Sequence, residues 1–234
     1  MTSIGTKIRI SQAYLELARS YVGAIAHSET TDVSNPEQAE LDNQATTSFA
    51  FAALSTIFSY MAIEAFVNYE LFKIWQHARI AHDAIEKIQK TNASMPPVPV
   101  YDGFHKKYGH INDFTQLKNS DLVELKERIK VICEANGLPK IHETNSTLWN
   151  EFNDLLKETR HALVHPNPDD VVFAKTTQCV FSPDLYKKYP RIASDVIAYF
   201  YRAANVKVPD YLERNQLFIV SGIEIIYGSS KTSK

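Results

Sequence analysis

The sequence of 234 residues has little glycine, little cysteine and almost no net charge. Seven glycines are few for a chain of this length, which favours a helical protein over a β protein rich in tight turns. Two isolated cysteines, Cys133 and Cys179, do not make a disulfide framework or a zinc site, so we expect a reducing compartment. A net charge of −2 argues against bulk electrostatic binding to nucleic acid but permits a small site with local positive charge.

The chain also lacks the apolar run of a signal peptide near its first residue. One uncharged run, residues 46–63, reaches the lower length limit of a membrane span. Serines and threonines interrupt this run, acids follow at Glu64 and Glu70, and no second run resembles it. We therefore interpret it as the centre of a helical bundle, and we expect a cytoplasmic protein that does not enter the membrane.

Apolar residues at three- and four-residue intervals predict an all-α protein with one domain over residues 1–234. Ser120 is a candidate N-cap of the third helix, Gly137 is the expected residue after its end, and Asn145 or Ser146 can cap the fourth. The core helices are expected at residues 6–27, 36–90, 120–136 and 146–164.

Two regions depart from this pattern. Residues 91–118 contain several prolines, which are excluded from helix interiors, and form an irregular insertion. Residues 169–227 are C-terminal additions, with a helix over 191–205 and short extended pieces at 171–173, 179–181 and 216–227.

The most informative stretch is residues 145–168, where an amphipathic helix is followed by prolines. Arg160, His161 and His165 lie at its C-terminal end, and Pro166 places His165 at or just beyond the last helical residue. On an ideal helix Arg160 and His165 are roughly 140° apart, so they would flank the apolar stripe. A break in the helix at His165, or a facing second copy of the chain, would bring an Arg and a His into one site.

These residue types suit the cleavage of RNA without a metal ion. An imidazole exchanges protons near neutral pH, and a guanidinium forks onto phosphate oxygens. His165 could activate a ribose 2′-hydroxyl while Arg160 stabilises charge on the phosphate. The same cations in a last helical turn can also simply bind free backbone carbonyls, and spacing alone favours that structural role.

A family resemblance changes this balance. The run from Arg160 to His165 resembles the R-x4-H signature of the HEPN superfamily, and Ile63 to Asn68, IEAFVN, resembles an acidic motif on an earlier helix of that family. The resemblance implies an up-and-down four-helix bundle, a homodimer that brings two R-x4-H motifs together, and metal-independent endoribonuclease activity without a cofactor. Such proteins act in toxin–antitoxin and anti-phage defence systems, which implies an RNA substrate and a possible antitoxin partner.

In this interpretation Arg160 and His165 are catalytic, and His161, Glu64 and Asn68 support them. Glu64 is expected to pair with Arg160, either to orient it or to stabilise the fold. The chain departs from one pattern within the family, because position 167 is Asn where toxins paired with nucleotidyltransferase antitoxins often carry a Tyr. Control of the site by modification of that Tyr is not supported.

Other functions remain open at the level of sequence. The helical bundle could be a non-catalytic module that binds a protein or a nucleotide. His82 and Asp83 resemble part of a metal phosphohydrolase site, although further ligands would be needed. The basic and aromatic cluster at residues 105–108 could contact RNA through charge and stacking.

Overall fold

The structure is a computed structural model that describes residues 4–30, 38–91, 102–165 and 187–213. The described residues are helices and their connections and include no strand, so the predicted all-α class is confirmed. The predicted extended pieces at 171–173, 179–181 and 216–227 lie outside the described residues. The helices are α1 Ile4–Thr30, α2 Gln38–Thr91, α3 Asp102–Tyr108, α4 Phe114–Lys118, α5 Leu125–Ala135, α6 Ile141–Thr144, α7 Ser146–Asn150, a π-helical segment Glu151–Lys157, α8 Glu158–Val164, α9 Lys188–Ala203 and α10 Asp210–Glu213.

The long helix α2 is the axis of the fold. It packs against α1, α3, α5, the π-helical segment, α8 and α9, because its apolar side chains face in nearly every direction. Its stretch Ala45–Ile88 is long and apolar enough to cross a membrane, and 44% of its most apolar window is buried within the fold. The core helix of a soluble protein can be equally long and apolar, so the structure is compatible with a soluble protein.

Small residues let α1 and α2 approach closely. The Ser11 hydroxyl on α1 donates to the Ala62 carbonyl on α2 at 2.7 Å, and the Ser55 hydroxyl on α2 donates to the Ala18 carbonyl on α1 at 2.9 Å. Both serines are buried, and both hydroxyls are satisfied by the neighbouring helix. Ser55 is one of the polar residues in the uncharged run, and its hydrogen bond explains how it sits inside a helical core.

Helix α9 belongs to the same hydrophobic core, although the sequence placed it among additions to a four-helix bundle. Ile192, Val196 and Phe200 are buried, as their spacing predicted, and α9 packs against α1 and α2. Arg19 on α1 ties these helices together, because its guanidinium donates to the Ser194 hydroxyl at 2.9 Å. The particular bundle topology implied by the family resemblance stays a prediction.

Helices α1, α2 and α9 span the segments predicted at 6–27, 36–90 and 191–205, with ends that differ by up to three residues; residues 36 and 37 lie outside the described part. The predicted insertion over 91–118 is more regular than expected. Its described part contains α3 and α4, and the Asp113 carboxylate caps α4 by accepting from the Thr115 N–H at 2.8 Å.

The third predicted helix begins later than expected, so the assignment of Ser120 as its N-cap was wrong. Helix α5 starts at Leu125, and Ser120 lies in a turn where its hydroxyl donates to the Leu117 carbonyl at 2.6 Å. The Arg128 side chain donates to the carbonyls of Leu122 and Val123, both at 2.6 Å. These carbonyls therefore bind a side chain instead of helical N–H groups, which stabilises the turn before α5.

The end of α5 agrees with the sequence. Gly137 has a φ of +62°, the left-handed conformation that glycine adopts without strain. The Leu138 N–H donates to the Cys133 carbonyl at 2.8 Å and the Gly137 N–H donates to the Glu134 carbonyl at 3.2 Å. This is the Schellman pattern, and it directs the chain away from α5 towards α6.

Candidate functional site

The motif-bearing helix runs from residue 146 to residue 164 in three consecutive parts, α7, the π-helical segment and α8. Asn145 caps it as predicted, since its side-chain oxygen accepts from the Leu148 N–H at 3.1 Å. The π-helical segment buries Phe152 and Leu156 against the core, whereas Leu155 is half-buried. Such segments are rare and are often found at functional sites.

The helix ends where the proline predicted. Helix α8 stops at Val164, and His165 has φ −126° and ψ 66°, outside the helical region. The His165 N–H still donates to the His161 carbonyl at 2.9 Å, which holds the last turn closed. The two side chains are four residues apart, so they lie on one face, with their ring centroids 5.1 Å apart and both imidazoles exposed.

Arg160 faces the body of the protein instead. Its guanidinium carbon lies 5.1 Å from the centroid of the Tyr60 ring on α2, which is a cation–π arrangement. Its Nε is buried and has no hydrogen-bond partner within the described part of the chain, and none of the ion pairs there involves Arg160. The guanidinium is therefore held in position by an aromatic face while its charge stays unneutralised by any described carboxylate.

Among the described residues, no hydrogen bond, ion pair or ring contact joins Arg160 to His165 within one chain. Arg160 contacts Tyr60, whereas His165 contacts His161. This agrees with the wide angular separation expected from five residues of helix. A site that uses both groups on one phosphate needs either movement of the helix end or a second copy of the chain.

Glu64 does not pair with Arg160, so that prediction was wrong. Its carboxylate lies 3.5 Å from the guanidinium of Arg128 on α5, and the Asn68 side-chain oxygen accepts from the same guanidinium at 2.9 Å. Glu64 and Asn68 are one turn apart on α2, so both reach the same face. The IEAFVN run thus positions Arg128, and through it the turn before α5, rather than the motif arginine.

Arg128 is a structural residue that sequence analysis missed. Its side chain is 7% exposed, and it makes hydrogen bonds to two carbonyls and to Asn68 in addition to the Glu64 contact. A signal for it was present, because Arg128 lies between Leu125 and Ile132 on the apolar stripe of α5, where a cation must find partners.

Tyr60 is the second residue that sequence analysis missed, although it lies one turn before Glu64 on the same face of α2. Its ring packs almost parallel to Phe152 of the π-helical segment, with centroids 6.4 Å apart. Burial raises the pKa of Tyr60, Glu64 raises that pKa further, and the nearby Arg160 opposes the shift. The phenol therefore stays protonated at neutral pH and presents a neutral aromatic face to the guanidinium.

The alternative sites considered from the sequence are structural where they are described. His82 packs near His105, with ring centroids 5.9 Å apart, and Asp83 lies 3.8 Å from Arg79 on the same helix. In the described residues no three His, Cys, Asp or Glu side chains are grouped as a metal site would need.

The basic and aromatic cluster belongs to α3 and is docked on the fold. Tyr108 is buried and its hydroxyl donates to Asp121 at 2.8 Å, while Lys107 pairs with the same carboxylate. A buried ring offers no face for a nucleobase, so stacking of RNA on Tyr108 was a wrong interpretation.

In comparison with known proteins, no family model, curated protein or solved structure matches the chain.

Proposed function

We propose that this protein is a metal-independent endoribonuclease of the HEPN type that acts as a homodimer. The observation that carries the proposal is Arg160, which is stacked on Tyr60 and lacks a described carboxylate partner. Arg160 is half-buried, a position in which a charge without a counter-ion is unfavourable, and a bound phosphate group would supply the missing negative charge. Arg160 also stands five residues before His165 in the R-x4-H pattern.

The reaction needs one proton acceptor, one proton donor and a cation. A neutral His165 takes the proton of the ribose 2′-hydroxyl, and the 2′-oxygen uses its electron pair to form a bond to phosphorus. The bond from phosphorus to the 5′-oxygen breaks, and a protonated imidazole, His161 or His165 of the partner subunit, gives a proton to that oxygen. Arg160 stabilises the negative charge on the phosphoryl oxygens, and the products are a 2′,3′-cyclic phosphate and a 5′-hydroxyl.

A homodimer supplies the geometry that one chain lacks. Arg160 and His165 make separate contacts within a chain, while His161 and His165 are exposed at the helix end. Val164 lies between these histidines in the sequence and is 40% exposed, so it would offer an apolar side chain to a facing copy of the helix end. We propose that two helix ends meet there, with Arg160 of one copy near His165 of the partner subunit.

Glu64 and Asn68 support this site indirectly in the proposal. They hold Arg128, and Tyr60 on the same face of α2 holds Arg160. Glu64 also contributes to the electrostatic surroundings of Tyr60. Their substitution would therefore change the placement of α5 relative to α2 before it changes the chemistry.

In a cell such an enzyme would serve as a toxin or an anti-phage effector in the cytoplasm, with an antitoxin protein as a possible partner. These roles rest on the resemblance of the two motifs.

A second candidate is a non-catalytic helical module that binds a protein or a nucleotide. It is favoured by the separation of Arg160 and His165 within one chain. An unneutralised arginine on an aromatic ring can bind a phosphate without cleaving it.

The test is incubation of the purified protein with mixed RNA in EDTA, followed by analysis of the product ends. We expect cleavage by the wild type, loss of cleavage in His165→Ala, and wild-type activity in His110→Ala, a matched control at an exposed histidine in the turn after α3. Undiminished cleavage by His165→Ala would sink the site assignment. Absence of cleavage by the wild type at micromolar protein would favour the binding module.

A further inference from the structure

A cavity whose lining does not include Arg160, His161 or His165 lies between the middle of α2 and the C-terminal ends of α5 and α9. Its volume is about 620 Å³, and Phe66, Phe200 and Tyr201 provide aromatic walls. Their rings are tilted against one another, with centroids of Phe66 and Phe200 5.3 Å apart. Small-molecule sites commonly have volumes of about 300–1,000 Å³ and mostly apolar walls with a few polar groups.

The two charged residues that line this cavity form an ion pair with each other. Glu70 and Lys73 both line the cavity, and the Lys73 Nζ lies 2.6 Å from the Glu70 carboxylate. The same Nζ lies 5.1 Å from the centroid of the Tyr69 ring. A carboxylate beside an aromatic face is the arrangement that binds organic cations, and here the protein's own lysine occupies it.

Two tyrosines contribute to the wall without adding charge. Tyr69 lines the cavity, but its hydroxyl is buried and is not exposed to the cavity. Burial raises the pKa of Tyr201, and Glu70 and Tyr69 raise that pKa further, so its phenol stays neutral at physiological pH. Glu70 and Lys73 are therefore the charged residues among those that line the cavity.

We propose that this cavity binds an amphipathic amine, with an aromatic body against the apolar walls and a primary ammonium that replaces that of Lys73. The Lys73 side chain is 40% exposed and forms a surface ion pair, so it can turn into water at little cost. The Glu70 side chain is only 21% exposed, so its carboxylate stays at the cavity when Lys73 turns into water. An anionic head group would meet that carboxylate and be disfavoured.

The experiment uses titration calorimetry on the full chain with three probes that share one body: naphthylethylamine, naphthylpropionate and naphthylethanol. We expect the amine to bind about tenfold more tightly than the acid or the alcohol, because it alone pairs with Glu70. Glu70→Gln should remove that preference, so that the amine binds no more tightly than the alcohol. Lys73→Met should strengthen binding of the amine several-fold, because the competing ammonium is gone.

Two controls locate the effect. Glu86 and Lys90 form an equivalent pair on α2, 2.7 Å apart and away from the cavity, so Glu86→Gln and Lys90→Met should leave binding of all three probes unchanged. Ala204→Phe, which fills the cavity from the end of α9, should abolish binding of the amine. The proposal would be overturned if the protein preferred the acid or bound none of the probes. It would also be overturned if Lys73→Met weakened binding of the amine or if Ala204→Phe bound it fully.

Discussion

Replacing Arg128 by Met separates the structural arginine of this fold from the functional one. The Arg128 guanidinium is buried and donates to two backbone carbonyls at 2.6 Å and to Asn68 at 2.9 Å, with Glu64 3.5 Å away. Its loss leaves the oxygens of Leu122, Val123 and Asn68 without their donor and releases the turn before α5. Removing one partner of a buried charge network costs about 3–5 kcal/mol. We place Arg128→Met at about 3 kcal/mol because Val123 and the Glu64 side chain, which is 37% exposed, are open to water.

The matched variant is Arg160→Met. Arg160 has one described contact, the face of Tyr60, and a cation–π contact at a partly exposed site contributes about 0.5–1 kcal/mol. We therefore expect Arg160→Met to change the free energy of unfolding by about 1 kcal/mol or less. Urea denaturation followed by circular dichroism measures both values. A loss of stability in Arg160→Met equal to that in Arg128→Met, or no loss in Arg128→Met, would refute this division of roles.

Three other predictions follow from single residues. Tyr60→Phe should leave RNA cleavage nearly unchanged, whereas Tyr60→Leu should lower kcat/KM about five- to tenfold because the cation–π contact with Arg160 is lost. An equal effect of the two substitutions would contradict a role for the aromatic ring. Burial raises the pKa of the Cys133 thiol to about 11. In a Cys179→Ser chain, Cys133 should therefore react with a disulfide reagent near pH 8 only after unfolding. Rapid reaction of the folded protein would contradict this, because it would show that the thiol is accessible. Gly137→Ala should reduce the free energy of unfolding by about 1 kcal/mol in urea denaturation because its φ is +62°. Gly103→Ala should not reduce it, because the added methyl group meets open space. Equal stability of the two variants would contradict strain in the turn after α5.

The helices and several of their ends were predictable because they depend on local chemistry. Apolar spacing located α1, α2 and α9, and an asparagine before an amphipathic run marked the start of α7. Gly137 marked the end of α5 since left-handed backbone favours glycine. The residue before Pro166 left the helix, as the steric rule requires.

The parts that were not predictable depend on contacts between distant segments. Ser120 has the chemistry of an N-cap, but the Arg128 side chain binds the carbonyls that a helix there would have used. Glu64 was expected to pair with Arg160, but the crossing of α2 and α5 places it beside Arg128 instead. The seven-residue π-helical segment leaves no signature in the apolar spacing, so it could not be predicted.

The composite site at the helix ends can be tested most directly by mixing two inactive variants, Arg160→Ala and His165→Ala. In a mixed dimer, one site would combine the intact arginine of one chain with the intact histidine of the other. We expect each variant alone to be inactive on RNA in EDTA and their mixture to regain cleavage as subunits exchange. Two inactive variants whose mixture stays inactive after verified exchange would contradict a site shared between two copies of the chain.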